Sequence, residues 1–555
     1  MRFIITLMVV GLATWSAQAQ LELSPKEWQE DLALLQQTVH QEYPFLFKKV
    51  SAEAFDQAVK ELHNAIPELA QHEVVVGLAR LVSMFGYGHT SLWVSGWSKD
   101  NPYGFRQMPY NLYNFSDGWY VQAVPQEYEA ALGAKVLRVA GMPIEQALEA
   151  IRPVVPVENE QFFRAYGWQH LGSPEVLHAQ GVTPELQETI TLTLEKDGRE
   201  FEQTFAAYEG EGYPGQYSQV LQADGWLSAR GQGEMPLWLK DLDKIYYYEY
   251  LPEQKAVYVR HSQIQDDPSV TIPEFYAEVF DFIENNEVEQ FILDVRLNGG
   301  GNNYKNKPIV TGVLETQKIN QPGKFFVILG RRTFSACQNL VNELHTYTQA
   351  VFVGEPTSEN INFYGDNRPV KLPNSGLEPR LSFAWWQDKP QWENQDWLAP
   401  HLAAELSFAD YVANRDPVLE TIWAYDYTDA IVDPMVYLEE LFTTGKAEQI
   451  PAEAQRLMTD PRYQYYPFEE NLNGAGYQLM GNGDVGSALF VFQLVAQLFP
   501  DSANAWDSLA EAHWKNGEIE KAKELYQKAI SMDPDGSVGE NARIMLEAIA
   551  KENKD

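Results

Sequence analysis

Three groups of residues in this sequence have the types that acyl transfer needs. The first is Thr333-Phe334-Ser335-Ala336-Cys337, which follows the apolar run 324–330 and opens a helical pattern. A serine on a sharp strand-to-helix turn holds its Oγ exposed, with the free N–H groups of the helix start close by. The N–H of Ala336 then faces an oxygen on the carbon that Ser335 attacks. The competing reading is that Ser335 only caps its helix, which serine does well. The second group is Asp294-Val295-Arg296-Leu297-Asn298-Gly299-Gly300-Gly301. Glycines at the carboxyl end of a parallel strand let bare N–H groups approach an anion. The spacing is that of neither a dinucleotide loop nor a P-loop. An oxyanion hole fits better, with the N–H of Gly299 or Gly300 acting beside that of Ala336, each donor contributing about 3 kcal/mol in the transition state. The third is Phe85-Gly86-Tyr87-Gly88-His89-Thr90, where His89 is one of ten histidines. Alone it reads as structural; within reach of Ser335 it becomes a base. Cys337 reads as a small buried hydrophobe.

These groups need elements to hold them. The chain has 555 residues, 45% hydrophobic and 21% charged, a globular composition with room for three or four domains. Asp and Glu number 78 against 41 Lys and Arg, a net charge of -37. Such a surface is repelled by phosphate backbones and anionic lipid, so neither nucleic acid nor a membrane is expected as a partner. The single cysteine excludes an intrachain disulfide and a cysteine metal cluster. Residues 1–19 read as a signal peptide, with Arg2, an apolar stretch from Phe3 to Trp15, and Ala17-Gln18-Ala19 before the cut. The protein is therefore expected to be exported, periplasmic or secreted, and soluble.

From 20 to 104 the pattern is that of a small helical domain. Ser24-Pro25-Lys26-Glu27 starts one helix, two more follow at about 52–66 and 72–85, and the histidine turn leads into a strand at Ser91–Val94. From 105 to 235 it is rich in strands and turns, with strands at 119–121, 135–139 and 190–194. The segment 133–141 and the helix Ile144–Ile151 resemble the carboxylate-loop half of a PDZ module. From 236 to 425 strands at 255–260, 290–296, 324–330 and 350–354 alternate with helices at Ile272–Asn285 and Ser335–Thr346, which implies an α/β core. A helical connector covers 426–470. In 471–555, Gly483 and Gly517, Ala488 and Ala522, Phe492 and Tyr526, and Pro500 and Pro534 recur 34 apart, which resembles tetratricopeptide repeats, with a final helix near 539–551.

The strand with its Arg296-Leu297-Asn298-Gly299-Gly300-Gly301 loop, the Thr333–Ala336 turn and Val353-Gly354-Glu355-Pro356-Thr357 resemble the C-terminal-processing (tail-specific) serine proteases. Gly86-Tyr87-Gly88-His89-Thr90 is similar to the histidine turn of their tricorn-core-like branch, and Asn414-Arg415-Asp416-Pro417 to the family's terminal segment. The resemblance covers roughly 25–425. It implies an α/β core of the tail-specific protease (ClpP/crotonase-like) type, with an N-terminal helical domain and a PDZ-like insert. It also implies Ser335 as nucleophile, His89 as base, and Gly299, Gly300 and Ala336 as oxyanion donors. The third triad member is matched by Glu393, with Asp396 as rival. Two departures stand out. The lysine that the Ser–Lys branch carries about 25 residues after its serine is absent from Ser358-Glu359-Asn360-Ile361-Asn362, and Lys371 lies beyond that loop. Gly88 replaces the serine that precedes the tricorn histidine.

The expected activity is hydrolysis of peptide bonds in extended or unfolded polypeptides, rising as pH passes roughly 6 to 7 if His89 is the base. No metal or cofactor is implied, and the repeats offer a surface for a protein partner. The alternative is a catalytically inactive, protease-like protein that binds peptides or acts as a scaffold.

Overall fold

The computed structural model describes residues 22–94, 104–210, 213–220, 225–392, 395–427 and 430–552. The expected signal peptide and Glu393 lie outside the described residues. Among those described, no helix is long and apolar enough to cross a membrane. The chain divides into two units. The first comprises 1–350, 355–398 and 405–420, and the second 351–354, 399–404 and 421–555.

In the first unit, helices α1 (Pro25–Glu42), α2 (Ala52–Ala65) and α3 (Gln71–Ser83) come first. Ser24 and Glu27 form the capping box read from the sequence, satisfying N–H groups that a helix start leaves free. Trp28, Leu32, Leu35 and Val39 form the buried stripe of α1. The strand expected at Ser91–Val94 does not form. Only Ser91 pairs, exchanging two 2.9 Å backbone bonds with Arg380, so that stretch is a single bridge.

Next comes a seven-stranded antiparallel sheet. It contains β1 (Asn111–Phe115), β2 (Gly118–Pro125), β3 (Lys135–Val139), β4 (Met142–Pro143), β5 (Thr189–Lys196), β6 (Arg199–Ala206) and β7 (Trp226–Ser228). Their order is β1-β2-β3-β5-β6, with β4 on β3 and β7 on β2. Helices α4 (Ile144–Ile151), α5 (Glu160–Tyr166) and α6 (Pro174–Ala179) lie between β4 and β5 in sequence. The helical and β-rich segments are not separate bodies. One hydrophobic cluster runs from Trp28 and Val76 through Val121, Ile144 and Leu192 to Phe334.

The α/β part has β8 (Tyr246–Leu251), β9 (Ala256–His261), β10 (Gln290–Asp294) and β11 (Phe325–Leu329), with α7 (Ile272–Asn285), α8 (Lys307–Glu315) and α9 (Ala336–Tyr347). The pairings β9–β10 and β10–β11 are parallel, as alternation with helices requires. β8, not foreseen from the sequence, pairs antiparallel with β9. In the second unit β12 (Val351–Gly354) pairs in parallel with a two-residue strand, Leu402–Ala403. Back in the first unit, β13 (Phe363–Pro369) and β14 (Arg380–Trp386) form a hairpin, and exposed Lys371 sits in its turn region.

The rest of the second unit is helical. Helices Phe468–Gly481, Val485–Leu498, Ala503–Lys515, Ile519–Met532 and Ser537–Glu552 follow one another. Gly483 and Gly517 hold φ of 86° and 82°, the left-handed geometry that lets a helix turn back where a side chain would strain. Ala488, Ala522, Phe492 and Tyr526 are fully buried, which accounts for the 34-residue recurrence of their types.

Candidate active site

Ser335 stands between β11 and α9 with φ 57° and ψ −128°, a backbone conformation that costs a non-glycine residue about 1–3 kcal/mol and persists only when its surroundings impose it. The surroundings do. The Phe334 N–H donates to the Asn298 carbonyl (3.1 Å), the Thr333 hydroxyl to the Val295 carbonyl (3.0 Å), and the Ser358 N–H to the Thr333 carbonyl (3.1 Å). Ser335 makes no side-chain capping bond, which sets aside the reading that it merely caps α9.

The glycine loop abuts this turn. Buried Asn298 donates from its amide to the His261 carbonyl (2.9 Å) and accepts from the Gly300 N–H (2.9 Å). Gly300 has φ 94°, and a β-carbon there would lie 2.5 Å from Ser335 Cβ and 2.9 Å from the Ala336 nitrogen. Gly300 is therefore the residue that lets loop and turn touch. Its expected role as oxyanion donor is corrected, because its N–H is already bonded to Asn298. Gly299 is exposed, with open space around it. Among the described residues, neither the Gly299 N–H nor the Ala336 N–H has a partner. Upstream, Arg296 joins Asp294 (2.8 Å) and Asp416 (2.9 Å), tying the strand before the loop to the segment around Asn414–Pro417.

His89, Ser335 and Ala336 line one cleft of about 240 Å³, together with Gly301, Asn303, Asn339, Phe363, Gly365, Asp366 and Trp386. The imidazole stacks on Phe334 (centroids 4.7 Å apart, 21° between planes) and lies near-parallel to Phe363 at 6.2 Å. These rings take water from it. Burial lowers the His89 pKa to about 4, against the opposing pull of Asp366, so the ring is neutral at mild acidity and above. Neither the Ser335 hydroxyl nor His89 Nε2 makes a hydrogen bond among the described residues.

The sequence did not single out the acid that lies beside this histidine. Glu359 is wholly buried; its Oε1 is 3.6 Å from His89 Nε2, and its Oε2 accepts from the Ser335 backbone N–H. Burial raises the Glu359 carboxyl well above its ordinary range, with the nearby Glu158 adding to the rise. Glu158, itself buried and raised to about 7 by burial, accepts from the N–H of Gly88 (2.8 Å) and of Asn360 (3.3 Å). It thus fastens the histidine turn to the loop that carries Glu359. Lys49 completes the fastening by donating to the Gly86 carbonyl (2.8 Å) and to Asn360 Oδ1 (2.6 Å). The only signal available in the sequence was the acid at the place where the Ser–Lys branch has its base. Asp396, the rival for third member, enters through its carbonyl, which accepts from Asn159 (2.7 Å) and Asn360 (2.9 Å).

Gly88 also has a structural reason. A β-carbon there would meet Phe162 Cε2 at 2.4 Å and Phe334 Cζ at 2.9 Å, so the ring on which His89 stacks and its neighbour Phe162 leave no room for a side chain.

Residues 479–550 match the tetratricopeptide repeat family. No curated protein matches the chain. Among solved structures it is similar to mature CPAF, at 13% identity and a TM-score of 0.48, over 72% of this chain and 96% of that one. It is also similar to the photosystem II D1 C-terminal processing protease, at 12% identity and 0.33, over 68% and 93% of the two chains. A third similarity is to the tricorn protease, at 13% identity and 0.36, over 72% of this chain and 36% of that one.

Proposed function

We propose that this protein is an exported serine-type peptidase of the tail-specific kind, hydrolysing peptide bonds in extended or unfolded polypeptides. The observation that carries the reading is the convergence of Ser335, on its strained turn, and His89, some 246 positions away in sequence, on one cleft with an acid behind the imidazole. In this reading Ser335 Oγ attacks the carbonyl and His89 takes its proton, later returning it to the leaving amine. With Nε2 turned to Glu359, Nδ1 is the nitrogen left for the hydroxyl. The Glu359 carboxylate meets the imidazolium as it forms. Glu359 thereby fills the place that the sequence gave to Glu393. The N–H groups of Ala336 and Gly299 hold the oxyanion. The β-rich segment around β3, β4 and α4 acts as a PDZ-like module beside an α/β core of the ClpP/crotonase type, and the repeats take a protein partner.

The test is cleavage of unfolded casein by the chain and by its Ser335→Ala form, read by mass spectrometry. New peptides from the first and none from the second are expected. Cleavage that survives the substitution removes Ser335 from the mechanism. One observation favours a second reading, a peptide-binding protein without catalysis: the Ser335 hydroxyl has no hydrogen bond to draw off its proton. That reading predicts casein binding with no cleavage by either form.

A further inference from the structure

We propose that His72, Glu73 and His178 form a binding site for a divalent transition-metal ion of the zinc type, apart from the Ser335 cleft. His72 Nε2 lies 2.8 Å from His178 Nδ1. One ligand atom from each of the three residues falls within 4.8 Å of the others, and all three side chains are half-buried. His72 and Glu73 are the second and third residues of α3, and His178 stands in the last turn of α6, 106 positions on. Three metal-ligating groups from two helices thus converge on one point.

The chemistry of the donors suits zinc better than a hard cation. Two imidazoles and one carboxylate are a recurrent zinc set that leaves a fourth position for water, whereas calcium and magnesium seek oxygen ligands. Neutral imidazole is the ligand form of histidine. At this distance one ring nitrogen donates its N–H to the lone pair of the other. When an ion binds, that proton moves to the other nitrogen of its own ring, through solvent, so that both facing nitrogens offer lone pairs. With Zn–N bonds near 2.0–2.1 Å a tetrahedral ion needs the nitrogens about 3.3 Å apart, so the rings separate by only about half an ångström. Glu73 Oε2 accepts from the Ala70 N–H (2.8 Å) at the helix start, which orients the carboxylate and leaves its other oxygen for the metal. Arg106 is the cation that opposes binding. Glu175 neutralises it with bonds of 2.7 Å to its Nε and 3.0 Å to its backbone N–H.

The site joins the N-terminal helices to the helical insert of the β-rich segment, so an ion there braces the shared core from outside. It does not rest on the peptidase reading.

The experiment uses the full chain, stripped with a chelator and titrated with zinc alone. Native mass spectrometry and calorimetry follow binding, and thermal unfolding follows stability. One ion per chain and a zinc-dependent rise in Tm are expected, with magnesium giving no rise. His72→Ala and His178→Ala should each weaken binding by at least about tenfold, since even an outer-shell change costs that much, and should abolish the Tm response. Equal zinc binding by the double variant and the parent overturns the proposal, as does no binding by the parent. Should a variant fail to fold, cobalt added to the parent decides: intense visible bands of a tetrahedral imidazole-ligated ion uphold the site, and their absence overturns it.

Discussion

Glu359→Gln separates an electrostatic role of this acid from a packing role. Glutamine keeps the volume of the side chain and an oxygen to accept the Ser335 N–H, and it removes only the negative charge. Opposite charges 3.6 Å apart at an effective dielectric near 20 attract by about 4–5 kcal/mol. If that attraction is realised only when His89 becomes an imidazolium, its loss slows the chemical step by about a thousandfold. Stability should move the other way. Burial raises the Glu359 carboxyl above its ordinary 4.5, so the native chain is weakened as pH rises from that value through the raised one. Glutamine has no such dependence, and the variant should gain stability relative to the parent as pH increases. The assay is the initial rate of casein cleavage and the unfolding midpoint for both chains from pH 5 to 8. A variant that is at least as stable as the parent and far slower fits the ion-pair role. A variant within about threefold of the parent in rate, with the same pH profile, refutes it.

The glycine loop offers a paired test. Gly300→Ala should cost about 1–3 kcal/mol in denaturant unfolding and remove cleavage, because its φ is left-handed and its β-carbon collides with Ser335. Gly299→Ala, with open space around it, should change stability by no more than about 0.5 kcal/mol. Gly88→Ser should destabilise by about 1–3 kcal/mol and raise no activity, since Phe162 and Phe334 already fill the position; calorimetry and the casein assay read both effects. Burial holds His89, His170 and His261 near pKa 4, so the unfolded chain binds protons that the native one does not between about 6.5 and 4. Stability in denaturant should therefore fall as pH drops through that window, by up to about 3 kcal/mol per histidine. Glu158, raised to about 7, acts with the opposite sign as pH climbs from 4.5, so it offsets part of the histidine effect over the shared range. Because His89 is already neutral above about pH 4, the cleavage rate should rise with the ionisation of Glu359, whose titration burial raises, and Glu359→Gln should lose that rise.

Where the chemistry was written locally, the sequence was legible. Ile144–Ile151 and Ile272–Asn285 were readable to the residue, since their apolar spacing, and for the second its Thr271–Glu274 capping box, lie within a few turns. The Thr333–Ala336 turn was readable because an apolar strand and a helix start flank it. Glu359 was not. It meets Ser335, 24 positions back, His89, and the charge of Glu158, 201 positions back, and no local pattern encodes that meeting. The commitment of the Gly300 N–H to Asn298 escaped notice for a similar reason, since three consecutive glycines look alike until one is bonded. The strand expected at Ser91–Val94 carried the right residue types but found only one residue to pair with.

The stacking of His89 on Phe334 bears on how the chain matures. The ring that receives the imidazole is made 245 positions after it and directly precedes the serine. A growing polypeptide therefore lacks the ring on which His89 stacks until synthesis has reached Phe334. The cleft lined by His89 and Ser335 is therefore assembled only after more than half of the chain has been made.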